Sequence, residues 1–98
     1  MPVPLSPRER KHLKARAHAL EPVVTVGQAG LTDAVVREID RALTAHELIK
    51  VRLGEADRDG RAELHEAISA RTDAAKVQSV GRMVVLWRPR PLEEGETP

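Results

Sequence analysis

The chain has 98 residues, 41% of them hydrophobic and 32% charged, with a formal net charge of +1. Those values fit one globular domain with a modest core and leave little room for a deep enclosed active site. The sequence contains no cysteine, which excludes disulfides, thiolate metal sites and cysteine nucleophiles, and no apolar run approaches the ~20 residues that span a bilayer.

The first residues, Met1-Pro2-Val3-Pro4-Leu5, lack the charged start and apolar stretch of a signal peptide, so a flexible N-terminus over 1–5 and a cytoplasmic location are expected. Ser6-Pro7-Arg8-Glu9 then reads as a helix start: Ser6 caps, Pro7 suits the first helical position and Glu9 completes a capping box. The helix is predicted to run to about Ala19. Its apolar stripe is thin, Leu13, Ala17 and Leu20, and much of the remainder is basic: Arg8, Arg10, Lys11, Lys14 and Arg16 against Glu9 alone. So narrow a buried face predicts a helix docked on the domain edge with most of its cations exposed.

Glu21-Pro22 ends that helix, and Val23-Val24-Thr25-Val26 reads as a short β-branched strand. Gly27-Gln28-Ala29-Gly30 follows as a loop. Thr32 caps a second helix whose apolar positions Val35, Val36, Ile39, Ala42 and Leu43 recur with helical spacing. In Leu48–Leu53, Ile49, Val51 and Leu53 face one way while Lys50 and Arg52 face the other. Gly54 to Gly60 is a polar loop in which Asp57 or Asp59 caps a third helix, roughly 60–72, with Leu64, Ala67 and Ile68 inward. Strands over 75–80 and 83–88 flank Gly81-Arg82, a hairpin turn. Beyond Pro89 the prolines and glutamates predict a disordered tail over 90–98.

The order α-β-α-β-α-β-β places the chain in the α/β class, a single domain over 6–89 with a mixed four-stranded sheet packed with helices. The strand–helix–strand units imply parallel pairs, and the terminal hairpin adds one antiparallel pair.

Charge is unevenly spread. The cations of the first helix and those at Arg82, Arg88 and Arg90 lie near opposite ends of the chain, with a surplus of acids between. If folding unites the two groups, they form a patch that polyanions feel; if not, they are solvated surface. Gly27-x-x-Gly30 is the other suggestive feature. Two glycines let a main chain turn tightly and approach a ligand, and the first N–H groups of the following helix favour anions. A phosphodiester is the natural ligand, as in the GXXG loop of K-homology domains. Taken alone, two glycines three apart in a strand–helix turn are more often just a turn. The P-loop Gly-Lys-Ser/Thr and the dinucleotide fingerprint are both missing.

Several stretches in order carry a more specific resemblance: Lys11-His12-Leu13-Lys14; Leu20 with Pro22-Val23-Val24; Gly27-x-x-Gly30-Leu31-Thr32; His46 to Val51; Val77-Gln78; and Gly81-Arg82 leading to Val85-Leu86-Trp87-Arg88-Pro89. From about Ser6 to Pro89 the chain resembles the CRM domain family, and closely its stand-alone bacterial YhbY-type members. The resemblance implies a fold similar to the C-terminal domain of translation initiation factor three. It also implies an RNA-binding protein that associates with precursors of the large (50S) ribosomal subunit. On that resemblance the RNA-contacting loop falls on Gly27, Gln28, Ala29 and Gly30. The basic first helix falls on Lys11 and Lys14, with Arg8, Arg10 and Arg16 as further local cations. The strand cations fall on Lys50 and Arg52, and the hairpin cation on Arg82. Gln28 and Ala29 give the loop itself no cation.

Trp87, the one aromatic residue, is a packing residue or a base-stacking platform. His46-Glu47 lacks the second histidine of a zincin, because position 50 is lysine, and Asp57-Arg58-Asp59-Gly60 is too short for a calcium loop. Neither a catalytic set nor a metal or cofactor site is expected. The expected partner is RNA, without membrane or small-molecule substrate, and the chain is expected to be monomeric. The competing reading is a ribosome-associated protein–protein interaction module.

Overall fold

The computed structural model describes residues 4–54 and 56–89. It contains α1 (Pro7–Ala17), β1 (Pro22–Val26), α2 (Asp33–His46), β2 (Leu48–Leu53), α3 (Arg58–Thr72), β3 (Ala75–Val80) and β4 (Met83–Trp87), in the predicted order. The helix starts follow their local chemistry. Ser6 and Glu9 form the reciprocal capping box, Thr32 caps α2, and Asp57 rather than Asp59 caps α3 through the Gly60 N–H at 2.7 Å.

The four strands form one sheet in the order β1-β2-β4-β3. β1 and β2 are parallel, while β4 runs antiparallel to both β2 and β3. The sheet is mixed, as expected, but β4 inserts between β2 and β3, so only one neighbouring pair is parallel. Side-chain chemistry accounts for this. Val84, Val85 and Leu86 are all buried, and such a run is satisfied only with covered faces and a neighbour on either edge. β3 alternates, exposes Lys76, Ser79 and Val80, and takes an edge.

Helices cover both faces. α2 and α3 pack on one, over Val24, Val26, Ile49, Val51, Leu53, Val84 and Leu86, with Ile39, Leu43 and Ile68 supplied from the helices. α1 packs on the other through Leu13 and Ala17 against Leu48, Val77 and Val85. It therefore lies across the sheet face and not on the domain edge. Its narrow stripe suffices because it covers only part of that face. A register irregularity between Lys76 and Gln78 supports the contact: Arg10 Nη1 donates to the carbonyls of Lys76 and Val77 at 2.5 and 3.0 Å. Trp87 is half-buried against this same cluster, the packing alternative of the two readings. The tail over 90–98 and Met1–Val3 lie outside the described residues, so the expectations for them carry no structural account.

Candidate nucleic-acid interface

Val26 is buried, and the chain leaves β1 directly into the glycine loop. The Gly30 N–H donates to the Gly27 carbonyl at 3.0 Å, closing a four-residue turn, and Gly30 has φ +76°, the left-handed region that favours glycine. Gly27, Gln28 and Ala29 are exposed. A Cβ built on Gly27 or Gly30 would meet nothing within 4 Å, so the space above the turn is open to an approaching strand.

The end of β2 seats this turn. The Gly54 N–H donates to the Val26 carbonyl at 2.9 Å, and a Cβ on Gly54 would lie 2.8 Å from that oxygen. The sequence reading missed Gly54; the available signal was a glycine immediately after a strand parallel to one that also ends in glycine. Gly54→Ala is expected to cost about 1–3 kcal/mol, because backbone atoms must yield. Gly27→Ala should leave stability unchanged or raise it by up to ~1 kcal/mol through the unfolded chain. Urea denaturation of the two variants checks the contrast.

The β3–β4 turn reaches the same end of the sheet, where the Leu53 N–H donates to the Arg82 carbonyl at 2.7 Å. Arg82 itself is exposed. Glycine loop, Gly54 and Arg82 thus share one rim. Below that rim, on the face that α1 covers only in part, lie Lys50 opposite Val85 and Arg52 opposite Met83. A shallow hollow of about 120 Å³ between α1 and these strands is lined by His18, Lys50, Gln78, Val80, Met83 and Val85. Val80 is 60% exposed there, an unusual amount for a strand valine.

Helical spacing divides the cations of α1. Lys11, Lys14 and His18 recur at i, i+3 and i+7, a single stripe, and His18 lines the hollow beside Lys50. His12 and Arg16 lie on the other flank, where they line a separate hollow with Glu9, Leu13 and Trp87, and Arg8 stands exposed on the outward crest between the two flanks. Arg10 lies beneath, engaged by the β3 carbonyls. Of the residues singled out in the sequence, the fold gathers Gly27 to Gly30, Lys50, Arg52 and Arg82 with Lys11 and Lys14. It turns Arg16 to the other flank, leaves Arg8 exposed on the outward crest of α1 and gives Arg10 a docking role.

The first turn of α2 is less open to an anion than its N–H groups alone imply. Its Asp33 carboxylate pairs with Arg71 at 2.7 Å, and this hydrogen-bonded guanidinium holds the Asp33 carboxyl below its ordinary range. Arg88, counted with the basic cluster in the sequence, is committed inside the fold to Asp40, Thr44 and the Thr72 carbonyl. Among the described residues, no group of three or more His, Asp or Glu side chains is placed to hold a metal ion, and no helix is long and apolar enough to cross a membrane.

The sequence pattern of the CRS1/YhbY (CRM) domain matches residues 5–88, almost the entire described chain. The chain belongs to the CRS1/YhbY (CRM) domain family. An RNA-binding protein of Haemophilus influenzae is 47% identical over 85 residues, covering 87% of this chain and 86% of the relative. A probable RNA-binding protein of Pseudomonas aeruginosa is 41% identical over 87 residues, covering 89% and 84%. In structure, the chain is similar to the solution structure of a hypothetical Staphylococcus aureus protein proposed to bind RNA. The TM-score is 0.79, the identity 30%, and 95% of each chain is covered. CRM-domain membership explains why the quoted stretches recur in this order, and the structural neighbour shares the three-helix, four-stranded architecture.

Proposed function

We propose that this protein binds RNA, without catalysis, on the side of the domain where the glycine loop, Arg52, Lys50, Arg82 and the Lys11–Lys14–His18 flank of α1 meet. The observation that carries the reading is this convergence: an open main-chain turn stands beside cations from three separate elements, with no carboxylate lining the hollow between them. The named functions of the CRM-domain relatives support it. Loop backbone approaches the sugar–phosphate chain, and the cations neutralise phosphates without reading sequence. The exposed Val80 and neighbouring Met83 offer apolar surface to an unstacked base.

The family resemblance points to precursors of the large ribosomal subunit as the natural RNA, bound by a cytoplasmic monomer. The test is gradient sedimentation of a cell extract at low salt and again at high salt. The protein should co-migrate with large-subunit precursors at low salt and leave them as salt rises. A protein that stays at the top of the low-salt gradient, with precursors present, contradicts the assignment.

A further inference from the structure

The Gly81–Arg82 turn also borders a second hollow, on the α3 side of the sheet and apart from the surface just described. On α3, Arg58, Arg61, Ala62 and His65 recur at i, i+3, i+4 and i+7, one face of the helix. Together with Lys76, Ser79 and Gly81 they line a space of about 420 Å³. The α3 acids Asp59, Glu63 and Glu66 fall on another stripe, about 100° round the helix, and none of them lines the space. Glu66 does reach Lys76 and forms an ion pair with it, so Lys76 is partly neutralised. Arg61 is steadied by donating to the Ala56 carbonyl at 2.9 Å, while Arg58 is exposed.

His65 forms part of the wall. It is only 7% exposed, and its Nε2 has no hydrogen-bond partner among the described residues. A buried polar atom of this kind normally has one. The remaining apolar lining is a single alanine, Ala62, so an acidic peptide would find little to bury, whereas a compact polyoxygen anion would find arginine, lysine and hydroxyl donors.

We propose that this hollow binds a phosphate group, with Arg58 and Lys76 supplying charge and the Ser79 hydroxyl and His65 supplying hydrogen-bonding capacity. The RNA-binding reading gives its source: a chain passing the rim at Arg82 carries a phosphodiester round the edge strand to this point. Inorganic phosphate has the same chemistry and is the alternative source. Burial, with Lys76 adding to it, lowers the His65 pKa, against a hydrogen bond that the imidazole donates to the Val85 carbonyl and the influence of Glu66, both of which raise it. An anion in the hollow would oppose the effect of Lys76 and move the imidazole back toward its ordinary value.

The experiment is amide and imidazole NMR of the full chain, titrated separately with inorganic phosphate and with a single-stranded oligouridylate. Resonances of Arg58, Ser79 and Gly81 should shift and His65 should titrate at higher pH. Arg58→Glu, at an exposed position, should abolish these changes and lower the salt slope of oligouridylate binding by about 0.7, the value of one phosphate contact. Shifts with both ligands support the site with RNA as its source; shifts with inorganic phosphate alone support it with free phosphate as its source. Oligouridylate shifts at the glycine loop, with the hollow silent in both titrations, overturn the proposal and leave the RNA reading intact. Phosphate shifts in the hollow with no oligouridylate response anywhere support the site and overturn the RNA reading. Silence in both titrations overturns both.

Discussion

Exchanging Lys50 and Arg52 together for glutamate is expected to weaken RNA binding about a hundredfold at moderate salt, roughly 1.4 kcal/mol for each reversed charge. Both residues stand on the sheet face that α1 leaves open, Arg52 opposite Met83 in the row nearer the rim that carries the glycine loop and Lys50 opposite Val85 in the next. Their side chains pair with no carboxylate in the described hydrogen-bond and ion-pair network, so reversal should remove attraction without breaking an internal contact. The plot of log affinity against log salt should flatten by about 0.7 for each lost phosphate contact. Arg8 and Arg16 provide the control. They have the same charge and lie on α1, but Arg16 lines a different hollow and Arg8 stands on the outward crest of the helix. Glutamate at both should cost less than about threefold, since exposed charges that make no direct phosphate contact are weakened by salt and solvent screening. Filter binding over a salt series separates the two pairs; equal losses would mean that net charge, not this surface, governs affinity.

The largest stability effect is expected at Arg88. One guanidinium nitrogen donates to Asp40 Oδ1 at 2.5 Å and to the Thr72 carbonyl at 2.8 Å, while the other donates to the Asp40 carbonyl at 3.0 Å and Thr44 Oγ1 at 2.9 Å. The fork ties the end of β4 to α2 and to the last turn of α3. Arg88→Ala strands acceptors at a buried helix end, where Thr72 is 3% exposed, and should cost about 3 kcal/mol. Most of that comes from the part-buried bond to the Thr72 carbonyl, while the bonds to the Asp40 carbonyl and the Thr44 hydroxyl are exposed and add less. The Asp40 carboxylate, with its side chain 54% exposed, adds little because solvent screens it. Lysine should recover only part, since a point charge cannot make the forked contacts. Urea titration should show a lower midpoint at unchanged m-value, and RNA affinity of the folded variant should be preserved. A loss below about 0.5 kcal/mol would show that the fork does not secure the helices.

These expectations differ in how far the sequence foretold them. Helix starts were legible because capping is local: Ser6 with Glu9, and Thr32, act on N–H groups three residues away. The two faces of β2 were legible from alternation in Ile49-Lys50-Val51-Arg52-Leu53. The position of β4 between β2 and β3 was overlooked because connectivity favours sequential neighbours, although the unbroken Val84-Val85-Leu86 run carried the signal. The glycine loop could be found but not its seat, since Gly54 acts through a carbonyl of another strand. Charge counting treated Arg10, Arg88 and Lys14 alike. Only tertiary structure shows that the first two spend their donors on backbone carbonyls and side chains within the fold, whereas Lys14 lies on the flank facing the open sheet.

Because the sequence contains no cysteine, a single introduced thiol can carry a photo-crosslinker at any chosen point. Gln28→Cys at the tip of the exposed turn and Glu38→Cys on the outer side of α2 place the same probe near and far from the assigned surface. With RNA present at saturating concentration, the probe at position 28 should crosslink strongly and the one at 38 should give background. Equal yields, or a higher yield at 38, would contradict the placement of RNA against the glycine loop.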